Sequence, residues 1–170
     1  MTQFDDVYAA HRDAVWRYFR RRSDADHEDL TTEVFLVAWR RRDELPVEPL
    51  PWLYGVARKV LANHRRAGDR RDALVERAAA HAPAAEPDLA DAVGLRADLA
   101  QALAELSERD RELVLLVAWE GLTLAEAAAA LGCRRGAAAV RLHRARRRLR
   151  TALHDESGST LASMTALEER

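Results

Sequence analysis

Eight arginines crowd positions 134 to 150 (Arg134, Arg135, Arg141, Arg144, Arg146, Arg147, Arg148 and Arg150), with no acidic residue between positions 127 and 154 to neutralise them. A guanidinium forks onto phosphate oxygens or onto the O6/N7 edge of guanine, so this surface seeks an anion, and the major groove of duplex DNA is its natural partner. Presenting such a surface needs a rigid helix held at a steep angle on a small platform. The preceding residues supply the means. Thr123 with Glu126 forms a capping box that starts a short apolar helix at Leu124. That helix runs through Ala127, Ala128 and Leu131, and Gly132 then provides the left-handed conformation that ends it. The second helix starts near Arg135, with Ala138, Leu142, Ala145 and Leu149 spaced at four, three and four along one inward face. The pattern is that of a helix-turn-helix.

A second chemistry sits near the N-terminus. Asp26, Asp29 and Glu33 recur at three- and four-residue steps, which places their carboxylates along one helix face while Leu30, Val34 and Val37 point to the core. An acidic ridge of this kind seeks a basic partner. Catalytic and metal chemistry find no comparable footing. His27, Glu28 and Asp29 are consecutive, so on a helix they point about 100° apart, and the histidines at 11, 64, 81, 143 and 154 make no ligand pattern. The sequence contains neither a Gly-rich phosphate loop nor a nucleophile elbow. No catalytic residue, metal ligand or cofactor is expected.

Composition constrains the partners further. The chain has 170 residues, 32% of them charged, and a net charge of −1, so attraction to nucleic acid has to be local. Residues 1 to 77 nearly balance, with fourteen acids against fifteen bases, whereas 78 to 108 hold six acids and one Arg. Cys133 is the only cysteine, which excludes an intramolecular disulfide and favours a reducing cytoplasm. No stretch approaches the apolar length of a membrane span, and the opening MTQFDDVYAAHRD carries acids where a signal peptide has positive charge. No membrane insertion is expected, and the cytoplasm is the expected location.

Apolar residues recur at three and four throughout, which predicts an all-α fold. A first helix carries Phe4, Val7, Tyr8, His11, Val15, Tyr18 and Phe19 on one face and ends in the polar cluster from Arg20 to Asp26. A second runs from about His27 to Arg42 and buries Leu30, Val34, Val37 and Ala38, with Phe35 and Trp39 flanking. Pro46, Pro49 and Pro51 predict a rigid loop, because each ring removes a donor and biases the residue before it away from helix. A third helix begins near Trp52 and reaches Arg66 or beyond, with Leu53, Val56, Ala57, Val60 and Leu61 inward. Ala78 to Ala92 reads as a flexible linker of small residues, two prolines and three acids. Leu99, Leu103 and Leu106, then Leu113, Leu116, Val117 and Trp119 after a helix start at Ser107 and Asp110, give two more helices. They complete a four-helix C-terminal domain. The expected division is 1–72, a linker over 73–96, 97–153, and a polar tail over 154–170 that is either frayed or a weak helix.

Two separated segments resemble one family. DHEDLTTEVFLVAWRR, from Asp26 to Arg41, is similar to the core-polymerase-binding helix of extracytoplasmic-function sigma factors of the sigma-70 family, with Asp26, Asp29, Leu30, Glu33, Phe35 and Trp39 matching its pattern. WLYGVARKVLANHRR follows at the family spacing and is similar to the helix that opens and holds the minus-ten promoter element. LSERDRELVLLVAWEGLTLAEAAAALGC with RLHRARRRL resembles the domain that binds the minus-thirty-five element. A helix-turn-helix regulator that never meets the polymerase would explain residues 107 to 150 but leaves Asp26 to Arg66 without a purpose. A helical adaptor that binds only proteins has no use for the arginines.

The resemblance implies an initiation factor with these sites. Core polymerase would be met through Asp26, Asp29, Leu30, Glu33 and Phe35, with the clamp and flap as partners. Single-stranded minus-ten DNA would be held by Trp52, Tyr54, Arg58, Lys59, Asn63, Arg65 and Arg66, which supply aromatic platforms and basic groups; a Trp at a helix start is more often a core anchor, and Trp52 is readable as one. The minus-thirty-five duplex would be met by Arg134, Arg135, Val140, Arg141, Arg144 and Arg147. The linker would thread the polymerase, its acids mimicking nucleic acid, and an anti-sigma factor would dock on apolar faces around Trp39, Trp52 and Trp119. Two departures from the family pattern stand out. The base-reading loop, Glu44 to Pro51, contains no Asn, Ser or Arg. The recognition helix has Gly136-Ala137-Ala138-Ala139-Val140-Arg141-Leu142 where polar readers are usual, so direct readout is sparse and phosphate contacts and DNA shape carry much of the recognition.

Overall fold

A computed structural model describes residues 3–76 and 97–168; side chains are described for 4–68, 70 and 99–152. Every element is helical except for turns: α1 (Gln3–Arg20), α2 (His27–Arg40), a 3₁₀ turn (Arg42–Glu44), α3 (Leu50–Glu76), α4 (Ala97–Ala104), α5 (Glu108–Ala118), α6 (Leu124–Ala130) and α7 (Arg135–Glu168). The chain divides into two compact units, Met1–Asp91 and Ala92–Arg170. The linker reading from Ala78 to Ala92 lies outside the described residues.

In the first unit, α1, α2 and α3 pack mutually around Val15, Tyr18, Phe19, Leu30, Val34, Phe35, Ala38, Leu53, Tyr54, Ala57, Val60 and Leu61. The stripes differ from the sequence expectation at three places. Phe35, expected at the flank of the α2 stripe, is buried with its ring edge-on to Tyr8 at 4.8 Å, while Trp39 on the other flank stays 45% exposed. Tyr54 joins the α3 core face, its ring 5.5 Å from that of Tyr18. Val37 and Val56 are only half-buried. The third helix also starts earlier than expected. Pro51 lies in its first turn, where a missing N–H costs nothing, and the Leu53 N–H already donates to the Pro49 carbonyl at 2.9 Å.

In the second unit, α7 packs against α4, α5 and α6. Leu103, Leu106, Leu113 and Leu116 supply the bulk of its core, while α6 contributes only Ala127, Ala128 and Ala130 and α7 contributes Ala138, Leu142 and Ala145. Two predicted caps are in place: Ser107 Oγ accepts from the Asp110 N–H at 3.2 Å, and Thr123 and Glu126 form the reciprocal box. A third end is sealed from outside its own helix. Arg111 of α5 donates Nε to the Leu103 carbonyl, which also accepts the Leu106 N–H, and an Nη to the Ala104 carbonyl, both at 2.8 Å, capping the C-terminus of α4. The helix reading of residues after 153 is the one that applies: α7 continues without a break to Glu168.

Candidate nucleic-acid and protein interfaces

Helix α6, its turn and α7 fix the arginine surface by local hydrogen bonds. Glu126 N–H donates to Thr123 Oγ1 at 3.3 Å, and Glu126 Oε2 accepts from the Thr123 N–H at 2.7 Å and from its hydroxyl at 2.6 Å. These hydrogen bonds to the charged form hold the Glu126 carboxyl below the usual carboxylate range. Gly132 takes φ +63°, its N–H reaching the Ala129 carbonyl and that of Cys133 the Ala128 carbonyl. Only a residue without Cβ enters that conformation cheaply, which is why the chain turns here and α7 begins three residues later. With Ala138, Leu142 and Ala145 buried, the opposite face of α7 is presented outward: Val140 is 52% exposed, Arg135, Arg144 and Arg147 are exposed, and Arg141 is half-buried at the edge. Arg134 is exposed in the turn. The six residues do not form one equivalent set. Arg144 and Arg147 also wall a groove of about 570 Å³ with Arg148 and Thr151 of α7, Ala102 of α4, and Glu105 and Leu106 just beyond its end. Arg135, Val140 and Arg141 lie on the first two turns of α7 and Arg134 just before them, where a helix end enters a groove.

On α3 the seven sequence-selected residues separate into two kinds. Trp52, Lys59, Asn63 and Arg66 are spaced at seven, four and three, so they share a helix face; Trp52 is half-buried and the other three are exposed. Arg66 donates to Asn63 Oδ1 at 2.6 Å, tying together the two side chains at the C-terminal end of that face. Tyr54 is different: it is buried against Tyr18, so its ring is not available as a stacking platform. Arg58 is half-buried with its Nε enclosed and unpartnered. Arg65 is an exposed residue, yet its guanidinium donates to the Arg22 carbonyl at 2.8 Å. The loop before α3 forms one wall of a groove of about 380 Å³ with Phe4, Val7 and Trp39, its own residues being Leu45, Pro46, Val47 and Pro49. Its lining is apolar apart from Arg42 and Asp43. His11 on α1 is partly buried, which lowers its pKa below 6.5, and Glu48 of the loop acts in the opposite direction.

The acidic ridge on α2 is real in part. Asp29 and Glu33 are exposed. Asp26 is the N-cap of the helix, and Oδ1 accepts from the Glu28 and Asp29 N–H groups at 2.9 and 3.2 Å. Leu30 and Phe35, which the resemblance assigned to the polymerase contact, are core residues at 5% and 4% exposure, Phe35 against Tyr8 of α1. The apolar side chain that does lie on the ridge is Leu36, half exposed and three residues beyond Glu33. Sequence reasoning missed it although Asp29, Glu33, Leu36 and Arg40 are spaced at four, three and four. Glu28, also missed, pairs with Arg12 of α1 at 2.6 Å. Among the described residues, no group of His, Cys, Asp and Glu has the arrangement to hold a metal ion, and no helix is long and apolar enough to cross a membrane.

Comparison with known proteins covers both units. Residues 7–71 match the family model for sigma-70 region 2, and residues 96–149 match that for sigma-70, region 4. The chain is 31% identical over 155 residues to the ECF RNA polymerase sigma factor SigL of Mycobacterium tuberculosis, covering 88% of each. It is 35% identical to the RNA polymerase sigma factor CarQ of Myxococcus xanthus, with the same coverage of each. Among solved structures it is similar to the sigma factor RpoE of Bartonella quintana, in complex with the anti-sigma factor NepR. That likeness has a TM-score of 0.67 at 25% identity and covers 91% of this chain and 98% of that one.

Proposed function

The chain belongs to the ECF sigma factors of the sigma-70 family, and from that premise we propose how its own residues divide the work of recruiting core RNA polymerase and selecting a promoter. It is an RNA polymerase sigma factor, an initiation factor that leaves the chemistry to the polymerase. Residues 1–72 act as the unit that meets core enzyme and the minus-ten element, 73–96 as the connection, 97–153 as the minus-thirty-five unit and 154–170 as the tail. The observation that carries this division is the placement of an acidic, apolar-centred ridge on α2 and an arginine-faced helix-turn-helix on the same chain.

Asp29, Glu33 and Leu36 make the contact with the polymerase clamp. The carboxylates set register and encounter rate, and the exposed leucine contributes apolar area at the centre. Asp26 supports this surface by capping α2, and Leu30 and Phe35 support it from the core. On α3, Trp52, Lys59, Asn63 and Arg66 face the unstacked minus-ten strand: an aromatic platform at one end, then a row of donors and cations over about 21 Å of helix at 1.5 Å per residue. On α7, Arg134, Arg135 and Arg141 meet phosphates and base edges, Val140 touches a thymine methyl, and Arg144 and Arg147 add positive charge further along the helix. With Gly136, Ala137 and Ala139 presenting no polar side chain, base readout at this helix is sparse and shape contributes more.

The family relationship supports a cytoplasmic location, beside the transcription machinery. It also makes an anti-sigma factor an expected partner, as RpoE of Bartonella quintana binds NepR; the half-exposed Trp39 beside the apolar groove offers such a protein a docking point. The test is in vitro transcription with purified core polymerase on genomic fragments. Promoter-specific transcripts that depend on the added chain and vanish with Asp29→Asn/Glu33→Gln/Leu36→Ala support the reading. Transcription that is unchanged by omission of the chain refutes it.

A further inference from the structure

Arg22 is an unusual residue to find inside a small helical unit. It is 4% exposed, and its guanidinium carbon lies 3.9 Å from the centroid of the Tyr18 ring. One Nη donates to the Tyr18 carbonyl at 3.2 Å, within the last turn of α1, where helix carbonyls have no partner of their own. Its backbone is held as well: the N–H donates to the Phe19 carbonyl at 2.9 Å, and the carbonyl accepts the Arg65 guanidinium at 2.8 Å. Burying a guanidinium is costly unless it is hydrogen-bonded and stacked, so a chain that keeps one here gains a fixed geometry in return.

The geometry concerns α3. Tyr18 meets Tyr54, and Arg22 meets Arg65, so α3 is tied at two points eleven residues apart to a single turn at the end of α1. At 1.5 Å per residue the ties are about 16 Å apart along the helix axis. Two anchors at that separation prevent both sliding and rotation. They bracket Lys59 and Asn63, and Arg66 lies one residue past the second.

We propose that Arg22 and Arg65 are positioning residues for the minus-ten face: Arg65 uses its guanidinium on the protein backbone and not on DNA, and the pair sets the rotation at which Lys59, Asn63 and Arg66 meet the unstacked strand. This rests on the assignment of α3 to minus-ten DNA made above. It reassigns Arg65, which charge alone groups with the phosphate contacts.

Counterion release separates the two roles. A phosphate contact contributes about 0.7 to the slope of log K against log salt for single-stranded DNA, whereas a residue that orients its neighbours changes affinity without changing the slope. The measurement is a salt titration of full-length protein bound to core polymerase, using a fluorescent non-template-strand oligonucleotide from the strongest promoter found by in vitro transcription. Arg66→Met is expected to lower the slope by about one contact. Arg65→Met and Arg22→Met are expected to reduce affinity about three- to tenfold, the scale of one hydrogen bond from a charged donor, at unchanged slope. Arg65 is on the surface, so Arg65→Met tests the idea even where Arg22→Met fails to fold. A slope step for Arg65→Met equal to that of Arg66→Met overturns the proposal, and so does an Arg65→Met protein that binds as the unsubstituted one does. If Lys59→Met and Arg66→Met also leave affinity and slope untouched, the assignment of α3 to the minus-ten strand is what fails.

Discussion

Replacing Asp26 separates two roles that the sequence assigns to one carboxylate. As the N-cap of α2, its Oδ1 accepts from two backbone N–H groups, those of Glu28 and Asp29. Asp26→Ala leaves both without that acceptor, and loss of an N-cap costs about 1 kcal/mol, within a range of roughly 0.5–2. For a unit of this size each kcal/mol lowers Tm by about 4–8 °C. Asp26→Asn keeps an acceptor of equal capping quality and loses only the charge at the positive end of the helix, worth about 0.3–1 kcal/mol at a surface site. The Tm of Asp26→Asn therefore falls less than that of Asp26→Ala. Because the carboxylate is occupied by its own helix, binding of core polymerase by Asp26→Asn should stay within about twofold of the unsubstituted protein. Asp29→Asn and Glu33→Gln should each lose up to about fivefold, the scale of one exposed ion pair, and more at low salt than at high. Scanning calorimetry and a competition assay against a labelled sigma factor for core enzyme read both quantities. An Asp26→Asn protein with unchanged Tm whose affinity for core falls as far as that of Asp29→Asn refutes the reasoning, since its charge would then be serving the partner.

Three further outcomes follow from the same geometry. Leu36→Ala should weaken core binding by about tenfold with Tm within a degree or two, whereas Leu30→Ala, in the core, should cost about 2–5 kcal/mol and be visible in thermal melts before any binding assay. The hydrogen bonds that depress the Glu126 carboxyl stabilise the capping box above its ordinary pKa of 4.5, and this support is lost as pH falls through the depressed value; Thr123→Ala should flatten that part of the acid-unfolding profile, and an unaltered profile would contradict the capping-box account. For Arg141→Ala, equal loss of affinity for cognate and scrambled minus-thirty-five duplexes, with a salt slope lower by about 0.9, identifies a phosphate contact; selective loss on the cognate duplex identifies a base reader.

What the sequence made legible was what neighbours in sequence decide. Ser107 with Asp110, Thr123 with Glu126 and the left-handed Gly132 are each settled within four residues, and each takes the form expected of it. The inward face of α7 was equally readable, since Ala138, Leu142 and Ala145 obey one period. Features that depend on which element lies opposite were not. Phe35 and Trp39 flank the α2 stripe symmetrically, and only the position of α1 sends Phe35 inward and leaves Trp39 half exposed. Tyr54 offered a base platform on paper because a tyrosine ring suits water or core equally well; Tyr18, thirty-six residues away, decides the matter. Arg22 lay in what looked like a solvated cluster, and its stacking on Tyr18 and the Arg65 bond to its carbonyl carry no local signature. Pro51 read as part of a loop because it closes the cluster with Pro46 and Pro49, yet it sits in the first turn of α3, the one part of a helix where it fits.

The alanine-built helix α6 has a consequence for how such proteins diversify. With Ala127, Ala128 and Ala130 as its buried contribution, it is held by close approach of main chains more than by interlocking side chains. A bulky substituent at any of these three positions would push α7 away and displace its arginine surface as a whole. Outward positions such as Ala137, Ala139 and Val140 bear no such load. Selection is thus free to rewrite the letters that are read while the hinge that holds the reader stays constant.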